Sequence, residues 1–334
     1  MLRRSVPPAG RHGIGRSAWP TAGPSKAGSL QRPLSSSLSL RDALLTFAVM
    51  VVWGTNFVVI HIGVAHFPPL LFACLRFGFA LLPMVFFLKR PAVPWRKLAA
   101  YGILIGAGQF GLLFIAIKSF ITPGLASLVV QSQSFFTILL AAALTRERVQ
   151  PFQIAGLLLA SAGIVVILWH TDGATTPLGV ALILLAALCW ASGNIVSRST
   201  PQVDMLAYVV WTSLFAVPPL FVLSWCIEGW PAIRDGLAGA PLAAWAAALW
   251  QGVGNVMFGY AVWGWLLSRY TAATVAPTSL LVPVFGMGAA AIWLGEPLPW
   301  WKFLAGGLVL AGLCVNILWP KFAAIRAARH PPAA

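Results

Sequence analysis

The chain has 334 residues, of which 59% are hydrophobic and only 9% charged, too little polar surface to cover a water-soluble globule of that size. Its formal net charge of +15 comes from 22 Lys and Arg against 7 Asp and Glu. The excess does not read as a nucleic-acid surface, because the basic residues are sorted by connecting segment rather than gathered into one patch with interleaved aromatics.

Residues 1–41 are rich in Arg, Ser, Pro and Gly, contain no Asp or Glu, and lack the apolar core of a secretory signal. They are expected to form a disordered basic extension lying against anionic lipid; an organelle transit peptide and a misassigned start codon are the alternatives. Beyond them, apolar runs near the ~20 residues that a bilayer-crossing helix needs predict spans at 43–63, 69–88, 98–118, 124–145, 151–169, 178–197, 205–227, 242–267, 272–294 and 299–319, followed by a short tail over 320–334. The fold class is an all-α integral membrane protein with ten transmembrane helices. No connection between spans could hold a soluble domain, so the bundle itself must carry the function.

The basic residues then fall on one side. Arg41, Lys89, Arg90, Arg96, Lys97, Arg146, Arg148, Arg198, Arg269, Lys321, Arg326 and Arg329 share a face, while Lys118, Arg234 and Lys302 lie opposite. That asymmetry predicts both termini in the cytoplasm. Cys74, Cys189, Cys226 and Cys314 lie in or at the ends of apolar spans without paired spacing; they read as packing residues, and neither a disulfide framework nor a metal site is indicated. Nothing in the sequence calls for a cofactor, and whether the chain works as a monomer is not encoded in these patterns.

The second half repeats the first. Trp53-Gly54-Thr55-Asn56 in the first span answers to Trp190-Ala191-Ser192-Gly193-Asn194 in the sixth, and Pro83 to Pro218. Glu147 and Glu296 follow the fourth and ninth spans at the same offset that separates Gly163 from Gly312. The plan is two five-helix units, 42–170 and 176–319. Five is odd, so the second unit enters the membrane from the opposite side, and such inverted halves are the architecture of alternating-access carriers.

Polar groups recur near mid-depth. Ser127, Gln131 and Ser134 follow helical spacing and are expected on one face, with Gln133 pointing away from Gln131. Gln109, Gln251, Asn255 and the two Trp/Asn pairs raise the same question, since amides facing lipid are costly. Each could be hydrogen-bonding glue between helices; several together favour a polar cavity. Arg76, inside the second span, is a functional candidate by default. It could grip a carboxylate in bidentate fashion, bond backbone carbonyls, or snorkel outward. No Asp or Glu lies deep in any span, so a substrate ammonium would meet amide oxygens, hydroxyls or the rings of Trp53, Trp190, Tyr260 and Trp263. His61 and His66 sit near a span end and read as loop histidines. Pro277 and Pro283 interrupt the ninth span, where they free backbone carbonyls or kink the helix. The Gly-rich run Gly106 to Gly111 matches a dinucleotide fingerprint but follows no strand, and it is read as a helix-contact surface.

The stretches VVWGTNFVVIHIG, PPLLFACLRF, GLASLVVQSQSFFTILL, CWASGNI, GYAVWGWLLSRY and VAPTSLLVPV resemble the EamA-like family of the drug/metabolite transporter superfamily, and within it the exporters of O-acetylserine and cysteine. The resemblance covers about 42–319. It implies an inner-membrane exporter of small amino-acid metabolites and marks Trp53, Asn56, Arg76, Gln109, Gln131, Gln133, Trp190, Asn194, Tyr260, Trp263 and Ser279 as substrate-binding. Arg76 is expected to engage a carboxylate, Gln131, Gln133, Asn56 and Asn194 to supply amide contacts, the last two at the gates. The rivals are a carrier of the same fold for another solute and a membrane-embedded enzyme; the latter lacks a nucleophile-base pair, a metal cluster or paired intramembrane carboxylates.

Overall fold

A computed structural model of the protein describes residues 38–145, 148–200 and 203–329. The expected basic extension therefore lies outside the described residues up to position 37, as do Arg146, Glu147 and positions 330–334 of the expected tail. The rest is helical, with no β-strand among the described residues.

In chain order the helical segments are α1 (Leu40–His66), α2 (Pro69–Leu81, continued by a 3₁₀ turn Met84–Phe86), α3 (Trp95–Ser119), α4 (Pro123–Leu144), α5 (Pro151–Trp169), α6 (Pro177–Arg198), α7 (Met205–Glu228), α8 (242–269), α9 (Pro277–Leu294) and α10 (Trp300–Arg329). A short helix, Trp230–Gly239, links α7 to α8. Among the described residues nine helices are long and apolar enough to cross a membrane. The segment expected as the eighth span is helical throughout, but Gln251 and Asn255 leave it more polar than the other nine. The last helix runs on through Pro320 to Arg329, into the stretch read from sequence as tail.

Local chemistry sets where these helices begin. Pro69, Pro123, Pro151 and Pro177 occupy first helical positions, where a missing N–H costs nothing and φ is already helical. Ser39, Thr176 and Asp204 accept from the backbone N–H groups of Asp42, Gly179 and Ala207 to cap α1, α6 and α7. The N-termini of α2 and α4 have no local side-chain cap. Distant carboxylates replace it: Glu228 accepts from the N–H groups of Leu70 at 2.6 Å and Leu71 at 3.1 Å, and Glu296 from the N–H of Gly124 at 3.0 Å and the hydroxyl of Thr122 at 2.5 Å. A negative charge at a helix N-terminus also favours the macrodipole, by about 0.3–1 kcal/mol at exposed sites and more when partly buried.

The helices pack in pairs that exchange when the halves are exchanged: α2 with α7, α5 with α10, α1 with α9 as α4 with α6, and α1 with α8 as α3 with α6. Small residues permit the closest crossings. A Cβ on Gly106 would lie 2.4 Å from that of Ala216, and one on Gly102 would lie 2.2 Å from the carbonyl oxygen of Thr212, so α3 meets α7 nearly backbone to backbone. The run read as a helix-contact surface is one. Outward-facing positions are apolar: Leu158, Trp169, Ile292 and Phe303 are each more than half exposed in the isolated chain, which is the pattern of a surface solvated by lipid rather than water.

Candidate functional site

Irregular stretches occur in α3 and α8 and again in α4 and α9, at positions that correspond between the first and second halves of the sequence. A π-helical stretch interrupts α3 at Leu104–Gly111 and α8 at Gln251–Phe258; a 3₁₀ turn interrupts α4 at Val130–Ser132 and opens α9 at Ala276–Leu280, with Pro277 in its first turn. Such departures re-aim side chains and are common at functional sites. Here they surround a cavity of about 360 Å³, of a size for a small solute.

All eleven residues marked in the sequence line this cavity: Trp53 and Asn56 from α1, Arg76 from α2, Gln109 from α3, Gln131 and Gln133 from α4, Trp190 and Asn194 from α6, Tyr260 and Trp263 from α8, and Ser279 from α9. Two details differ from the expectation. Gln131 and Gln133 face the same space, because the 3₁₀ turn between them shifts the phase that a continuous α-helix would keep. Ser127 and Ser134 do not share it: the Ser127 hydroxyl donates to the carbonyl of Gly124 at 2.7 Å and packs against Gly286, and Ser134 accepts from Gln133 at 3.0 Å.

Arg76 is 1% exposed and neither snorkels nor turns to backbone carbonyls. One terminal guanidinium nitrogen donates to Gln251 Oε1 and the other to Asn255 Oδ1 at 3.2 Å, while Cζ stands 3.8 Å from the centroid of the Phe110 ring. Its Nε is buried without a hydrogen-bond partner among the described residues. No carboxylate is paired with it among the described residues. An ion this far from water costs several kcal/mol unless compensated, and two amides and a ring face compensate it only in part.

On the same cavity wall, Trp53 stands 5.7 Å from Tyr260 and 5.3 Å from Trp263, ring centre to ring centre, its indole seated on Gly259 and donating to the carbonyl of Asn255 at 3.4 Å. Asn194 donates to Gln133 at 3.0 Å and to Thr137 at 3.3 Å, joining α6 to α4. The wall is completed by residues that the sequence reading did not mark as contacts, among them Tyr101, Phe110, Ser197, Met205 and Asn255. Asn255 had a signal as a mid-span amide; the others are apolar or sit at span ends, where nothing separates a wall residue from a packing one.

The two ends of the cavity differ. Ser197, Met205 and Tyr260 also belong to an open vestibule of about 880 Å³ formed by the ends of α6 and α8 and the start of α7, so the cavity adjoins this vestibule at the Arg198 end. Toward the Phe67 end the bundle is filled: Phe67, Phe72 and Phe114 are fully buried, Phe67 and Phe72 stack at 5.8 Å, and Trp245 closes against Phe67 at 5.1 Å. Glu228 and Glu296 tie α2 and α4 to the second half at that same end, and Lys302, 4% exposed, meets Glu296 at 2.7 Å.

These features define a multi-pass helical membrane protein organised around an internal polar cavity. The sequence profile of the EamA-like transporter family matches residues 40–169 and 177–318, and the chain belongs to that family; it is a transporter rather than an enzyme. A Salmonella typhimurium protein designated "Probable amino-acid metabolite efflux pump" is 41% identical over 286 residues, covering 84% of this chain and 96% of that one. Its Escherichia coli K12 counterpart of the same designation is 38% identical over 293 residues, covering 85% and 98%. A solved crystal structure shares the fold with a TM-score of 0.58 at 21% identity, over 85% of this chain and 98% of the other.

Proposed function

We propose that this transporter exports small amino-acid metabolites, O-acetylserine and cysteine first among them, across the bacterial inner membrane by alternating access between two inverted five-helix units. The observation that carries the substrate reading is the buried, acid-free Arg76 on the wall of a cavity sized for a small solute. Its guanidinium takes the substrate carboxylate; the Trp53, Tyr260 and Trp263 cluster offers ring faces to the ammonium; Gln109, Gln131, Gln133, Asn56, Asn194, Trp190 and Ser279 meet the remaining polar atoms. The designation of two relatives as efflux pumps supports the direction. Helix contacts that exchange between halves, and the paired π and 3₁₀ interruptions, support the units 42–170 and 176–319 and a tenth span at α8. Positive charge at the Arg198 end favours a cytoplasmic location for it and for both termini, so the vestibule would load solute from the cytoplasm.

The test is efflux of labelled O-acetylserine or L-cysteine from proteoliposomes, with and without an imposed pH gradient and membrane potential. Saturable efflux above protein-free liposomes is expected, and its response to each gradient identifies the coupling. No efflux from folded protein would overturn the cysteine-pathway assignment and direct a panel of aromatic amino acids, nucleobases and xenobiotics to the same cavity.

A further inference from the structure

Gln251 does not face the cavity. It is fully buried behind it, on the π-helical stretch of α8, where it and Asn255 both reach Arg76. The chemistry of its neighbours fixes how it must stand. A guanidinium can only donate, so Gln251 presents its oxygen to Arg76; its nitrogen is thereby committed to donating, and it does so to Asn56 Oδ1 at 2.7 Å. Asn56, its oxygen accepting from Gln251, has its NH₂ group to offer the cavity it lines. Asn255 likewise accepts from Arg76 through Oδ1 and has its NH₂ to offer. One cation thus orients three amides, and the face that results carries donors and a positive charge that no carboxylate among the described residues offsets.

We infer that Gln251 is a positioning residue for substrate recognition: through the Arg76–Gln251–Asn56 relay it keeps Arg76 charged but unneutralised and Asn56 turned to donate, so that the site selects solutes bearing a free carboxylate. This rests on the reading of Arg76 as the carboxylate contact. The amide is essential for being neutral as well as for its bonds. A carboxylate at the same place would satisfy Arg76 better and would also reverse Asn56, whose nitrogen would then serve the new acceptor and whose oxygen would face the solute.

The contrast gives the experiment. Wild type, Arg76→Gln, Gln251→Glu and Gln251→Met are reconstituted and compared for efflux of labelled L-cysteine, with unlabelled L-cysteine and L-cysteinamide as competitors. Wild type is expected to prefer the free carboxylate. Gln251→Glu is expected to raise KM about tenfold or more, equivalent to ~1.4 kcal/mol, and to abolish the preference over the amide, although its buried arginine is paired and its thermal midpoint in detergent is no lower than that of wild type. Gln251→Met, which keeps the volume and removes both bonds, is expected to raise KM with the maximal rate retained, and it serves as the probe if Gln251→Glu does not fold. Efflux and competitor preference unchanged in Arg76→Gln would overturn the carboxylate reading itself. Arg76→Gln impaired with Gln251→Glu and Gln251→Met unchanged would leave that reading standing and overturn the role of Gln251, since a residue that merely packs would show just that.

Discussion

Arg76 and the Trp53, Tyr260 and Trp263 rings offer the cavity two kinds of contact, one a guanidinium and the other π faces. A desolvated cation over an aromatic ring is worth about 2 kcal/mol or more, so the ring contact has an energetic consequence that can be separated from the carboxylate contact. Trp263→Leu is expected to raise the KM for L-cysteine about tenfold while leaving N-acetyl-L-cysteine, which has no ammonium, unchanged as a competitor; equal losses for both would show that the ring only packs. Arg76→Lys belongs to the same scale. Lysine keeps the charge but lacks the planar fork that bonds Gln251 and Asn255 together, and efflux is expected to fall with KM raised, measured in the same proteoliposomes. These residues were legible in the sequence because a charge or an amide inside an apolar run is conspicuous. That several mid-span polar groups would wall one cavity was also legible; which aromatic and hydroxyl residues join them was legible only through the family motifs. Gln251 was visible as polar but not as the residue behind Arg76, since that relation joins positions 175 apart in the chain.

At the scale of elements, the helices and most of their limits follow from apolar run length and from proline at first-turn positions, and the sequence located them. The interruptions were less legible. Pro277 announced a break in α9, whereas the π stretches in α3 and α8 and the 3₁₀ turn in α4 have no comparable residue signature. Least legible were the caps supplied from a distance. Glu296 had drawn notice only as a repeat partner of Glu147, yet its carboxylate holds the N-terminus of α4 and pairs with buried Lys302. Removing one member of a buried pair strands the other and costs about 3–5 kcal/mol, while replacing both can be nearly neutral. Glu296→Gln is therefore expected to lower the thermal midpoint in detergent markedly, and Glu296→Gln with Lys302→Met to recover part of the loss. No recovery would assign the loss to the α4 cap alone.

For the whole molecule, the cavity adjoins the vestibule at the Arg198 end, while packed side chains fill the Phe67 end. The seal has two kinds of contact: the packed rings of Phe67, Phe72, Phe114 and Trp245, and the carboxylates of Glu228 and Glu296, which reach from the second half to α2 and α4 of the first. At the opposite end the halves meet through Tyr270, whose hydroxyl donates to Asp42. If transport proceeds by exchange of access, opening the Phe67 end must release the two carboxylates from the helix N-termini they cap, and weakening them must shift the resting population toward that opening. A cysteine at Ile60, on the cavity wall, reports it, in a background lacking Cys74, Cys189, Cys226 and Cys314. With wild-type carboxylates, a membrane-impermeant thiol reagent is expected to label Ile60→Cys from the vestibule side and slowly from the other. Adding Glu228→Gln and Glu296→Gln is expected to raise labelling from the Phe67 side severalfold while vestibule-side labelling falls, because one cavity cannot be open to both sides in an alternating carrier. Labelling that rises from both sides together would mean that the double change has loosened the bundle rather than tipped a two-state balance. Labelling that rises from neither would place the seal in the aromatic packing alone and remove the carboxylates from the gate.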